Sequence, residues 1–113
     1  VSKHATLGHG AIIMRATVIN AGARIGNNMI LNTAASVDHD CSIGDGVHIA
    51  PGSRLSGSVT VGNATWIGIG SVIRESVHIG NNVLIGAGSL VLKDIPDSVL
   101  AYGSPAKIIG ANT

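Results

Sequence analysis

Within Val37-Asp38-His39-Asp40-Cys41 stand the side chains of this sequence best suited to moving a proton. A neutral imidazole with an ordinary pKa of about 6.5 is a natural general base at physiological pH. A carboxylate next to it, here Asp40, can fix its tautomer and stabilise the imidazolium that forms. Gly57 follows 18 residues after His39. Lacking a side chain, it leaves its backbone N–H accessible as a donor to a developing oxyanion. A second histidine, His48, lies between them. Whether these groups cooperate depends on how the chain folds their spacings into space.

The spacing is set by a repeat. Every sixth residue from Val1 through Leu7, Ile13, Ile19 and onward to Ile85 and Val91 is aliphatic, with no insertion or slip. Four residues further in each hexad stands a second, mostly small set that includes Ala5, Ala23, Ala35, Cys41, Ser53, Thr65, Ser71 and Ser89. Six is not a multiple of the helical 3.6. It suits a short strand that points two residues inward with one between them facing out, followed by a corner. Gly and Asn directly after the aliphatic residue, as in Ile25-Gly26-Asn27-Asn28 and Ile43-Gly44-Asp45-Gly46, are expected to supply φ > 0 at these corners. Three hexads close a triangular coil of 18 residues, and coils stack at about 4.8 Å as parallel strands. His39 falls on a corner and projects outward. Cys41 points into the core and is unsuited to carry an acyl group. The repeat is expected to occupy residues 1–96 and to stop at Pro96, with residues 97–113 folding back as a cap over the last open edge. The first coil has no such cap, so an N-terminal element is expected to be missing.

Stacking at 18 allows each outward column to be followed. Thr6, Arg24, Ser42, Thr60 and His78 form a polar face. Ile12, Ile30, His48, Trp66 and Leu84 form a second face, and Val18, Ser36, Arg54, Val72 and Leu90 a third. Two adjacent faces with large apolar residues outside require a partner, and a closed ring of identical chains is the simplest. Asn27, Asp45, Asn63 and Asn81 form a corner ladder that reads as structural.

Composition narrows the classes further. A formal charge of +1 offers no basic field for nucleic acid. No apolar run approaches the ~20 residues of a membrane span, and no signal peptide is visible. A single cysteine excludes an intrachain disulfide and fits a reducing compartment. Together these favour a cytoplasmic protein.

The unbroken hexads resemble those of the hexapeptide-repeat transferases, and the likeness covers nearly the whole chain. It implies an all-β, left-handed parallel β-helix of about five coils, a hand that periodicity alone leaves open. The stretch from Val37 through Ile43-Gly44-Asp45-Gly46 to Pro51-Gly52 resembles the active-site region of bacterial sialic-acid O-acetyltransferases and UDP-amino-sugar N-acetyltransferases. The resemblance implies His39 and Asp40 as base and partner, with the Gly57 amide at the acetyl oxygen. It also implies His48 at the thioester of acetyl-CoA, the co-substrate. Outward backbone at Ile69 and Ala87 is implied along the pantetheine arm. Gly103-Ser104-Pro105-Ala106-Lys107 resembles a closing motif that puts Lys107 near the far end of CoA. A homotrimer is implied, in which the two apolar faces cover each other and His39 of one subunit approaches His48 of the next. The resemblance implies as acceptor a sugar amine or hydroxyl, in the first place on a nucleotide-linked amino sugar.

Two other functions fit parts of the pattern. A zinc hydratase of the γ-carbonic-anhydrase type uses this fold but needs three converging histidines. His39 and His48 lack a third at a suitable position, so no metal is expected. A non-catalytic scaffold would not need the Asp-His-Asp corner.

Overall fold

A computed structural model describes residues 1–113 and contains strands but no helix. Fifteen two-residue strands, β1 (Thr6–Leu7) to β15 (Leu90–Val91), recur at six-residue intervals. They stack into three sheets, in which each strand pairs in parallel with the strand 18 residues away, as Thr60 does with Ser42 and with His78. Sheet A holds the polar column from Thr6 to His78, sheet B the column from Ile12 to Leu84, and sheet C the column from Val18 to Leu90. The fold is a left-handed parallel β-helix of about five turns. It is a prism 38 Å long and 23 by 22 Å across. Its corners join A to B, B to C, and C back to A.

The aliphatic residue of each hexad fills the prism from Ile19 through Ile85 to Val91, all essentially inaccessible. The inward rule fails at the first coil. Val1 and Leu7 are 64% and 41% exposed because no coil lies beneath them. Cys41 points inward, and its thiol donates to the Ser56 carbonyl at 3.1 Å. Ser53 and Thr65 act alike, donating to the carbonyls of Gly68 and Gly80 at 2.9 and 2.7 Å. The small inward set thus satisfies corner carbonyls that the strands leave unpaired.

The corners correct one expectation. Left-handed backbone falls on the third residue after the aliphatic one: Asn28, Asp40, Gly46, Ser58 and Asn82 all have φ between 52° and 65°. The glycine directly after the aliphatic residue serves close approach instead. A Cβ on Gly26 would lie 2.6 Å from the Gly44 carbonyl carbon in the next coil. The corner ladder is built from side-chain caps. Asn27 Oδ1 accepts the His9 N–H at 2.7 Å, and Asp45 and Asn63 repeat the contact one coil at a time at 2.7 and 2.8 Å.

The last turn is two residues shorter than the others. Ile79 bridges Ile95, and Leu84 of β14 (Leu84–Ile85) pairs with Leu100, each 16 residues on. Asp97 takes the next ladder position and caps the Asn81 amide at 2.7 Å. Strand β16 (Val99–Gly103) then extends sheet B in parallel, and β17 (Ala106–Ala111) turns back antiparallel on its edge. Residues 97–101 therefore still follow the coil, and the path leaves the helix only at the hairpin turn through Ser104 and Pro105. No helix of the chain is long and apolar enough to cross a membrane.

Candidate active site

His39 and Asp40 sit on the C–A corner. The Asp38 carboxylate accepts the His39 backbone N–H at 2.7 Å and the Asn20 amide, from the preceding coil, at 2.8 Å. The Asn20 bond, with the His39 N–H, holds the Asp38 carboxyl below the usual carboxylate range. Asp40 occupies the left-handed position, φ 59°, which turns its side chain alongside the imidazole. His39 Nδ1 is 3.2 Å from Asp40 Oδ2. An ionised carboxylate only accepts, so this contact puts the proton on Nδ1 and leaves the lone pair on Nε2. The dyad faces solvent, with side chains 60% and 65% exposed.

Gly57, one coil above, packs against the Nε2 edge of the ring. A Cβ there would strike His39 Nε2 and come within 2.5 Å of Cε1. Its neighbours spend their amides on other coils, Ser56 on Ile73 and Ser58 on His39. The Gly57 N–H itself donates no hydrogen bond within the chain. Gly57 itself is buried beneath the ring rather than open to solvent, so the column holds a basic nitrogen beside a backbone N–H that has no partner in the chain, and a base next to such a donor is the pairing that acyl transfer needs.

His48 is elsewhere. It stands in sheet B between Ile30 and Trp66, and its ring meets Trp66 at 4.1 Å between centroids, tilted by 51°. Asn32 Oδ1 accepts the Thr33 N–H at 2.8 Å, so the Asn32 NH₂ is the end that faces His48 Nε2 at 3.4 Å. That long contact makes Nε2 the acceptor and places the His48 proton on Nδ1. Burial pushes the imidazole below its ordinary pKa, which favours its neutral form. The C–A corner is the vertex opposite sheet B, and the aliphatic core lies between the two histidines. Within one chain they do not meet.

The remaining candidates are equally dispersed. Ile69, 56% exposed, and Ala87 project from the B–C corner, and neither amide donates a hydrogen bond within the chain. They lie across the width of sheet C from His39. Lys107 lies on β17 opposite Tyr102, and with Lys93, Asp94 and Pro105 it lines a cavity of about 330 Å³ between the hairpin and the last C–A corner. Lys93 shares the column of His39 and Gly57, three coils or roughly 14 Å along the axis. No group of three or more His, Cys, Asp or Glu side chains is placed to hold a metal ion. The Asn20 contact with Asp38 and the Trp66 contact with His48 were not foreseen. Both partners lie 18 residues from the group they touch, so the coil period was a usable signal.

A scan against protein families matches the bacterial transferase hexapeptide family, described as six repeats, over residues 58–93. A comparison with curated proteins returns no match. Among solved structures, this hexapeptide-repeat chain is similar to the acetyltransferase domain of PglB from Neisseria gonorrhoeae FA1090 in complex with acetyl coenzyme A. The two are 41% identical at a TM-score of 0.95, covering 96% of this chain and 53% of that one. It is similar also to a histidine-to-asparagine variant of perosamine N-acetyltransferase from Caulobacter crescentus in complex with CoA and GDP-perosamine. There the identity is 45% and the TM-score 0.96, covering 96% and 52%. A maltose O-acetyltransferase from Clostridium difficile 630 superimposes at 27% identity and a TM-score of 0.86, covering 96% and 70%. The chain spans about half the length of the first two.

Proposed function

We propose that this chain forms the catalytic β-helix of an acetyl-CoA-dependent acetyltransferase acting on an amine or hydroxyl of a sugar, in the first place a nucleotide-linked amino sugar. The observation that carries the reading is the His39–Asp40 pair, with the imidazole packed against Gly57, whose amide has no partner in the chain. His39 takes the proton of the acceptor as its nitrogen or oxygen attacks the thioester carbonyl. Asp40 holds the Nδ1–H tautomer and steadies the imidazolium, the Gly57 N–H donates to the carbonyl oxygen as it becomes an oxyanion, and the thiolate of CoA leaves. The acetyl-CoA and GDP-perosamine complexes of similar structures support this donor and this acceptor class.

The assembly belongs to the same proposal. Ile12, Met14, Val18, Trp66, Ile69 and Val72 are all at least 40% exposed and lie on sheets B and C and the corner between them. Their burial between neighbouring chains of a homotrimer would remove the apolar surface from water. His48, Ile69 and Ala87 are out of reach of His39 in their own chain, so we assign them to the neighbour, on the CoA side of a shared site. Lys107 would meet the distal part of CoA.

Purified protein should bind acetyl-CoA and acetylate a nucleotide-linked amino sugar. His39→Ala should lower turnover by about 10²–10⁴ while acetyl-CoA still binds. Co-assembling His39→Ala and His48→Ala chains, each inactive alone, should restore about one quarter of the wild-type sites if each site draws one histidine from each of two chains. No recovery in mixed trimers would overturn the shared site. Unchanged turnover in His39→Ala would overturn the base.

A further inference from the structure

The coil before the dyad meets Asp38 and Asp40, the residues on either side of His39. Asn20 donates from Nδ2 to Asp38 Oδ1 at 2.8 Å, and that same oxygen caps the His39 backbone N–H at 2.7 Å. Asp38 is thereby held on both sides, and with it the direction in which the chain enters His39. Two residues after Asn20, Gly22 has φ +76°. A Cβ on Gly22 would strike Asp40 Oδ1 and lie 3.0 Å from Asp40 Cγ. One carboxylate oxygen of Asp40 therefore fills the volume that a side chain at position 22 would occupy, while the other reaches His39 Nδ1 at 3.2 Å.

Gly22 is not glycine for the sake of its backbone. Ala16, Ala34 and Ala64 occupy the same place in other corners with φ of 59°, 59° and 56°. An alanine is therefore compatible with the corner. What sets position 22 apart from those alanines is a side-chain oxygen one coil on that fills the Cβ volume; Gly10 shares this, with Asn28 Oδ1 there, but only at position 22 does that oxygen belong to the partner of an imidazole. Gly46 makes the contrast: it has φ +65°, and a Cβ there would meet nothing within 4 Å.

We propose that Asn20 and Gly22 are positioning residues for the His39–Asp40 dyad: Asn20 locks Asp38 so that it sets the His39 backbone, and Gly22 leaves the space from which the Asp40 carboxylate orients the imidazole. The proposal rests on the acetyltransferase reading for its effect on turnover, but the geometry can be tested without turnover. The Nδ1–H tautomer of His39 depends on Asp40 standing where it does, and ¹⁵N chemical shifts of the labelled imidazole distinguish the two neutral tautomers.

The experiment compares Gly22→Ala, Asn20→Ala and Gly46→Ala in the full chain at a pH where the imidazole is neutral. Gly22→Ala should move the His39 ¹⁵N signature away from the Nδ1–H form. It should also lower kcat by about tenfold to a hundredfold, the effect of displacing a catalytic group by about 1 Å, with the KM for acetyl-CoA unchanged. Asn20→Ala should lower kcat in the same direction with KM unchanged and disturb the His39 amide resonance. Gly46→Ala, which carries the same backbone strain without the collision, should match wild type in tautomer, kcat and KM. A wild-type tautomer in Gly22→Ala overturns the proposal for that residue. Equal losses in Gly22→Ala and Gly46→Ala overturn it as well, since backbone strain alone would then account for the effect. Should Gly22→Ala fail to fold, the Asn20→Ala variant decides, because an unchanged kcat and His39 amide there overturn the clamp. A wild-type chain that transfers no acetyl group to any acceptor refutes the acetyltransferase reading and leaves the tautomer test standing.

Discussion

Gly57→Ala separates the position of the imidazole from the backbone donor beside it. The substitution keeps the residue 57 N–H, so the proposed oxyanion donor remains. The new methyl group would lie 2.5 Å from His39 Cε1, against 3.4 Å where ordinary contact begins. The ring must therefore retreat by about 1 Å, and a misplacement of that size costs roughly 100-fold in rate. Stability should move the other way. The backbone of Gly57 lies outside the left-handed region, so alanine fits there without strain. Replacing glycine also removes unfolded-chain entropy worth about 0.4–1 kcal/mol, or roughly 2–5 °C in Tm for a domain of this size. The ring can yield because the His39 side chain is 60% exposed. Steady-state kinetics with acetyl-CoA and thermal melts of the same preparation read both effects. A kcat/KM within twofold of wild type would falsify the placement of the reacting base over Gly57. A Tm several degrees lower would mean that the His39 ring is locked against the coil and cannot swing aside.

Two further predictions concern groups outside the dyad. Burial holds the His48 pKa below its ordinary 6.5, so between the two values the unfolded chain binds the proton and the folded chain does not. Stability should accordingly decline as pH falls below about 6.5, levelling only below the folded pKa, and His48→Gln should flatten that part of a melt series between pH 5 and 8. Burial also pushes the Cys41 thiol above its usual pKa, and the residue is 1% exposed. Iodoacetamide should leave it unmodified in the native protein and alkylate it in denaturant, as mass spectrometry would record; native alkylation would refute its inward orientation.

How much of this was legible in the sequence depends on which residues one asks about. The hexad period makes the coil, the inward orientation of Cys41 and the three outward faces readable, because burial on a prism allows only one phase of the repeat. The period separates the places of the corner glycines but not the reason for each. Gly26 and Gly46 hold different places in the hexad, but the repeat does not say which place turns left-handed: the first glycine is required by the backbone of the next coil, whereas the second has open space and a left-handed φ. The shortened last turn was equally invisible, since Ile95 and Asp97 keep the chemistry of their positions while losing two residues of spacing. At the site, His39 and Asp40 are adjacent in sequence and so easily paired. The contacts of Asn20 with Asp38 and of Trp66 with His48 lie one coil away, and they become readable only when side chains are compared along a column. Nothing along a single chain brings His48, Ile69 or Ala87 to His39; in the proposed trimer that distance would be set by how chains pack.

The left-handed backbone of Asp40 invites a reading as strain stored for catalysis, and the rest of the solenoid argues against it. Ala16, Ala34, Ser58, Ala64 and Ser76 adopt the same conformation at the equivalent place in other corners, with φ between 56° and 62°. The fold imposes it wherever three hexads close a coil, at a cost of order 1 kcal/mol for a residue with a Cβ, whatever the side chain does. Aspartate is among the residues that meet this cost best, since its short polar side chain finds a local partner. In this corner the partner is an imidazole, and the glycines one coil below and one coil above leave room for both. The dyad thus takes a conformation the scaffold already requires and departs from other corners only in what stacks against it. It also lies outside the buried aliphatic column. Substitutions at positions 22 and 57 should therefore change chemistry far more than stability, whereas truncation of a core residue such as Ile67, fully buried, should cost about 2–5 kcal/mol of stability and reach His39 only if whole coils come apart.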